Sequence, residues 1–164
     1  STTITGNRFL NGATYVMAPD GSNGLVIERN VFDECVVGYG GPVQFGNNIG
    51  SLSNLTYRHN TLLCGNCGGG ATGRVNVTVE NNIFVDGTYD FSGTCTSGCV
   101  TRYNLFNISG NQIGTNVVIG TPQWMGGTYP TRPATWAGWQ LLSSSPGYAA
   151  GNDGLDIGTT YYGP

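Results

Sequence analysis

The sequence predicts an all-β protein: a single-stranded right-handed parallel β-helix, a solenoid, with an irregular C-terminal cap. Three observations point there. Asparagine returns at one place in a repeat of about 22 residues. Apolar and polar residues alternate just before it, the period of a half-buried strand. Glycine is abundant, 28 of 164 residues, and charged residues are only 9%, against ~25% in an average soluble domain.

Five segments align without gaps. They are 2–9 (TTITGNRF), 25–32 (LVIERNVF), 55–62 (LTYRHNTL), 77–84 (VTVENNIF) and 99–106 (CVTRYNLF). One column holds Asn7, Asn30, Asn60, Asn82 and Asn104. Two places later stand Phe9, Phe32, Leu62, Phe84 and Phe106; three places earlier stand Ile4, Ile27, Tyr57, Val79 and Thr101. β-branched residues on an alternating pattern make strands with one buried face. Asn is expected to turn the chain, because its short amide tolerates the left-handed region. Stacked about 4.8 Å apart in parallel, the units put Asn on Asn, and the amides bond up and down a structural ladder. The column two before each Asn reads Thr5, Glu28, Arg58, Glu80, Arg102. Its alternating charges predict cross-strand ion pairs on the outer face.

Residues 1–120 are expected to form the coils and 121–164 a capping segment of the same domain. An insertion separates the second and third units, so 36–54 is read as a protruding loop. The Gly-rich 64–74 stretch lacks the Lys-Ser/Thr of a phosphate-binding loop and is read as a turn. Residues 111–120 form one more irregular coil. The tail carries Trp124, Trp136 and Trp139. It is expected to lie over the end of the stack and cover open strand edges, the Trp residues packing the cap; a sugar-stacking platform is the alternative.

These repeats resemble those of the pectate-lyase-like parallel β-helix superfamily. The stretch Trp139 to Gly151 (WQLLSSSPGYAAG), followed by Asp156-Ile157-Gly158, resembles the closing segment of many secreted bacterial β-helix proteins. In that family an alanine and a tyrosine follow the aspartate-isoleucine-glycine; here Thr159-Thr160 and then Tyr161-Tyr162 follow. The resemblance implies the fold. It leaves activity open, because the superfamily hosts lyases, hydrolases, epimerases, adhesins and viral spikes.

Five cysteines are present: Cys35, Cys64, Cys67, Cys95 and Cys99. The spacings Cys64-x2-Cys67 and Cys95-x3-Cys99 suit zinc as well as short disulfide-closed loops. Low charge favours disulfides among Cys64, Cys67, Cys95 and Cys99, with Cys35–Cys64 a rival pair, in an oxidising compartment. No metal and no cofactor is expected. Asn54, Asn76 and Asn107 head glycosylation sequons.

For catalysis, the best constellation is Arg58, His59, Glu80, Arg102 and Tyr103, brought together by stacking. His59, the only histidine, is read as an exposed turn residue, with a catalytic role as the alternative; a site under the 36–54 loop is a further option. A lyase needs a cation to neutralise a uronate and a base for its proton, and a glycosidase needs two carboxylates at a set separation. The chain has no Lys, and the Asp-rich and Gly-His-Gly motifs of polygalacturonase-like relatives are absent. Ice binding would want Thr-x-Thr in successive coils, and only Thr3-x-Thr5 fits. The net charge of -3 with six scattered Arg gives no nucleic-acid footprint. No apolar run approaches a membrane span.

The expected function is therefore that of an extracellular or cell-surface, non-catalytic β-helix: a structural, adhesive or self-assembling subunit, a filament included. The alternative is a polysaccharide-active enzyme, lyase or glycoside hydrolase, or the C-terminal fragment of one. Expected partners are further copies end to end, or the continuation of a longer β-helix, and a polysaccharide. The tail's Thr159-Thr160-Tyr161-Tyr162 is the expected strand for docking onto the first unit.

Overall fold

A computed structural model describes residues 1–10, 21–33, 51–63, 73–86, 95–110 and 112–160, and the backbone alone of 16–18, 43–45, 66–68 and 88–90. The chain is all-β with parallel sheets, an arrangement compatible with a parallel β-helix. The described helical structure is one 3-10 turn, Ala137–Trp139, and no described helix is long and apolar enough to cross a membrane.

The first sheet orders Thr2–Thr5, Leu25–Glu28, Thr56–Arg58, Thr78–Glu80 and Val100–Arg102. The second orders Arg8–Leu10, Val31–Asp33, Thr61–Leu63, Ile83–Val85, Leu105–Phe106 and Val118–Ile119. A third holds Leu52–Ser53, Arg74–Val75 and Cys95–Ser97. From Leu52 to Phe106 the chain crosses the third, first and second sheets in that order three times. The partners are those of the sequence columns: Ile4↔Ile27↔Tyr57↔Val79↔Thr101, and Phe9↔Phe32↔Leu62↔Phe84↔Phe106.

Between the first two sheets the left-handed residue is the one before each Asn: Gly6, Arg29, His59, Asn81 and Tyr103, at φ between 52° and 65°. This corrects the expectation that the ladder Asn itself makes the turn. The preceding residue absorbs the left-handed conformation, which leaves the Asn amide free to point into the stack. There each amide bonds the next unit, at 3.0–3.1 Å from Asn7 to Asn30, Asn30 to Asn60, Asn60 to Asn82 and Asn82 to Asn104. The backbone N–H of each of these four donors reaches the same oxygen.

Two apolar clusters hold the molecule. Inside the stack lie Ile27, Phe32, Leu55, Tyr57, Leu62, Val79, Phe84 and Phe106, with Leu25, Leu52 and Val77. Phe9 stacks on Phe32 at 4.8 Å, and Phe84 on Phe106 at 5.1 Å. The second cluster lies on the outward face of the second sheet. Val31, Leu63, Ile83, Val85 and Leu105 are covered there by Trp124, Trp139, Leu141 and Ile157. Trp124 and Trp139 meet edge to face at 5.1 Å.

The tail thus runs as a strap along the flank. Arg8 of the first unit donates to the Pro133 and Ala134 carbonyls at 2.9 and 2.7 Å. Arg132 meets Asp33 at 2.5 Å. The Gly158 N–H reaches the Asn81 carbonyl at 2.7 Å. Gly158 sits at φ +91°, where an added Cβ would lie 2.5 Å from Ile83. The expectation that the tail covers the end of the stack is corrected. Ile119 pairs with Phe106 and so continues the inward column, yet it stays 45% exposed, because the strap's apolar side chains are spent on the flank. A sugar platform at Trp124 or Trp139 is likewise corrected, each being 1% exposed.

Candidate functional site

The sequence-derived constellation lies on the outer face of the first sheet and the turn beside it. The charged column forms two discrete pairs rather than one ladder: Arg58 Nε to Glu28 Oε2 at 2.7 Å, and Arg102 Nε to Glu80 Oε2 at 2.9 Å. Arg29 approaches the other Glu28 oxygen at 3.5 Å. Glu80 also accepts from the Asn152 amide at 2.9 Å. Tyr103 is half-buried, and its backbone N–H donates to the Thr115 carbonyl at 2.9 Å.

His59 occupies the turn, but it is buried, and this corrects the reading of an exposed residue. The strap segment 151–159 crosses it. Its Nδ1 lies 3.2 Å from the Gly158 carbonyl and its Nε2 2.8 Å from Asp153 Oδ2. Asn81, one turn along, donates to Asn152 Oδ1 at 2.6 Å and accepts from the Asn152 N–H at 3.2 Å. Each ring nitrogen thus faces an oxygen of the strap. Burial, the largest influence, pushes the Asp153 carboxyl up; the His59 hydrogen bond, the Leu155 N–H and the His59 charge outweigh it, and Asp153 sits below its ordinary value of 3.8. His59, Asn81 and Glu80 therefore clamp the strap. The signal available in the sequence was the column that His59 and Asn81 share, with Asn152, Asp153 and Asp156 grouped in the tail.

Six of the nine acidic residues have described side chains, and each is engaged in holding the fold. Glu28 and Glu80 meet arginines, and Asp33 meets Arg132. Asp153 meets His59, and Asp156 accepts from the Ala149 N–H at 2.9 Å. Asp86 accepts from the Asn107 amide at 2.7 Å and from the Tyr129 hydroxyl. Burial first, then that bond to Asp86, pushes the Tyr129 phenol up to about 12, so it stays a donor. Asp20, Glu34 and the Asp90 side chain lie outside the described residues, as does most of the 36–54 loop.

An open depression of about 560 Å³ lies where the strap passes the second unit, lined by Arg29, Gln140, Tyr148, Leu155, Asp156 and Thr160. Sequence reading missed it, because it forms only when the tail folds back. It offers one guanidinium, a half-exposed phenol ring and several hydrogen-bonding groups. Among the described residues no three His, Cys, Asp or Glu gather as a metal site.

The sulfurs of Cys95 and Cys99 are bonded, at 2.11 Å; Cys35, Cys64 and the Cys67 side chain lie outside the described residues. Of the sequon residues, Asn54 and Asn76 are exposed and Asn107 is half-buried. The Asn54 amide donates to Asn23 at 2.8 Å and the Asn76 amide to Asn54 at 3.0 Å.

No protein-family model, curated protein or solved structure matches this chain.

Proposed function

We propose that the chain is a right-handed parallel β-helix of the pectate-lyase-like type, working outside the cell as a non-catalytic structural or adhesive subunit. The observation that carries this reading is the engagement of all six described carboxylates in contacts between coils, between coil and strap, or within the strap. A polysaccharide lyase or hydrolase needs a base or an acid held ready for substrate, and four of the five residues of the sequence-derived constellation, Arg58, His59, Glu80 and Arg102, spend their groups on the scaffold. His59 faces an acceptor at each ring nitrogen, and the Arg58 and Arg102 guanidiniums each neutralise a glutamate. The hand of the solenoid is supported by the strong right-handed preference of parallel crossovers. The extracellular setting is supported by the Cys95–Cys99 disulfide, a bond that persists in oxidising compartments.

The test is incubation with a panel of acidic and neutral polysaccharides, read as new reducing ends and unsaturated ends. No turnover is expected. Cleavage that is lost in Arg58→Ala, His59→Ala and Arg102→Ala, each still folded, overturns the reading and places an active site on the first sheet. Cleavage that survives all three overturns it too, and places the site elsewhere.

A further inference from the structure

We infer that the outward face of the first sheet binds a linear carboxylated glycan running along the stack, with one carboxylate on Arg58 and another on Arg102. The inference rests on the non-catalytic adhesive reading above and names its partner. The two arginines stand in one column, Glu28↔Arg58↔Glu80↔Arg102. Both repeat one arrangement. The Nε–H donates to the glutamate one unit earlier, at 2.7 Å for Arg58 and 2.9 Å for Arg102. In each pair the arginine side chain is 42% exposed and the glutamate 12%. The carboxylates are sunk and the guanidiniums raised, so each pair shows solvent its positive end. Among the described residues, only the Nε–H of each guanidinium is hydrogen-bonded. The two terminal nitrogens keep their N–H donors, a fork that grips a carboxylate in a bidentate pair.

Spacing and charge select the ligand. Two rungs separate the arginines, about 10 Å along the stack. Two sugars of an extended β-linked chain cover that length. A glycan with a carboxylate on every sugar, or on every second one, therefore meets both guanidiniums without bending. Arg29 approaches the other Glu28 oxygen at 3.5 Å, so three guanidiniums stand over two carboxylates, in a chain whose net charge is -3. The strap's Asp153, beside the turn, is held by His59 at 2.8 Å. Next to the charged column the same face carries Thr3, Val26, Thr56, Thr78 and Val100. These hydroxyls and methyls suit the hydroxyl and C–H edges of sugars. They include no aromatic ring on which a nucleobase would stack, which favours a glycan over a nucleic-acid strand.

The strap borders this face and steadies it. The Asn152 amide donates at 2.9 Å to the same Glu80 oxygen that takes Arg102. The base of the fork is thus fixed before a ligand arrives, which lowers the ordering cost of binding. The tail strand expected to dock onto another copy is committed to the stack instead. Thr159 is 3% exposed, its N–H donates to Thr61 Oγ1 and its hydroxyl to the Arg29 carbonyl. Residues 161–162 lie outside the described residues.

The test is calorimetric titration of the 164-residue chain at low salt with a hyaluronan tetrasaccharide, whose two carboxylates stand two sugars apart. Binding that weakens as salt rises is expected. The hyaluronan disaccharide, with one carboxylate, should bind roughly tenfold more weakly, and a neutral β-1,4-glucan tetrasaccharide should not bind. Arg58→Gln and Arg102→Gln should each lose roughly tenfold in affinity with circular dichroism unchanged. Glu28→Gln keeps an acceptor for Arg58 and removes a sunk negative charge, so it should tighten binding; a merely structural role for the pair would weaken it or leave it unmoved. No binding of the tetrasaccharide overturns the inference. So does equal binding of the neutral chain or of a short oligothymidylate, full affinity in both arginine variants, or a Glu28→Gln chain that binds no tighter. The reducing-end assay on the same ligands reads the scaffold proposal separately. A chain that neither binds nor cleaves overturns only the glycan site, and one that binds and cleaves overturns only the non-catalytic reading.

Discussion

Asn82→Ala is the most informative single substitution in the ladder. Asn82 is fully buried. Its amide nitrogen donates to the Tyr57 and Glu80 carbonyls at 3.0 Å and to Asn104 at 3.0 Å. Its oxygen accepts from the Asn60 N–H at 2.9 Å and from the Asn60 amide at 3.1 Å. Truncation strands the buried Asn60 N–H, at about 1–3 kcal/mol, and forfeits bonds worth about 1 kcal/mol each. The three donor contacts share two amide hydrogens, so with the bond from the Asn60 amide the sum is about 4–6 kcal/mol. Asn7→Ala removes only two donated bonds and strands no donor, since nothing in the described chain donates to the Asn7 oxygen, so its cost is about 1 kcal/mol. Asn82→Asp keeps the shape but aims a carboxylate at three acceptors. It should cost more than Asn82→Ala at neutral pH, and the excess should shrink in acid as the carboxyl gains a proton to donate. Urea unfolding followed by circular dichroism measures all three, with coincident fluorescence as the check on cooperativity, which stacked repeats do not always keep. Equal losses for Asn7→Ala and Asn82→Ala, or an Asn82→Asp chain as stable as wild type, would refute the burial argument.

Mass spectrometry of unreduced protein should find Cys95 and Cys99 joined and protected from alkylation; free thiols at both positions would contradict the structure and the compartment. Asp153 sits below its ordinary 3.8, so its contribution is present above that pH and is lost as pH falls through the folded value. Asp153→Asn should therefore be less stable than wild type at pH 5 and no different at pH 2, a gap no larger than about 1 kcal/mol because the carboxylate is part-exposed. A constant gap across that range would remove the His59 clamp from the account.

The stack was legible because its signal repeats. Tyr57 and Val79 each stand between polar neighbours, and that alternation sets the register of the first sheet. His59 was not legible as a buried clamp. Its partners Asp153 and Gly158 lie 94 and 99 residues away, and nothing local distinguishes a turn histidine in water from one under a strap. The left-handed role passed to the residue before each Asn for a similar reason. The Asn column shows which residue recurs, while the backbone conformation depends on where its amide must point.

One signal was present and was read too narrowly, and it explains why the end of the stack is open. First-sheet strands alternate, as in Thr78-Val79-Glu80. Second-sheet strands do not: Thr61-Leu62-Leu63 and Ile83-Phe84-Val85 are continuous and buried on both faces. A continuous apolar strand needs cover on its outer face as well as its inner one. The outer faces of five units together demand far more apolar area than one terminal rung. Burial at ~25 cal/mol per Å² therefore draws Trp124, Trp139, Leu141 and Ile157 to the flank. With those side chains committed there, the strap has none left for Ile119. The exposure of Ile119 is thus a consequence of the doubly buried second sheet.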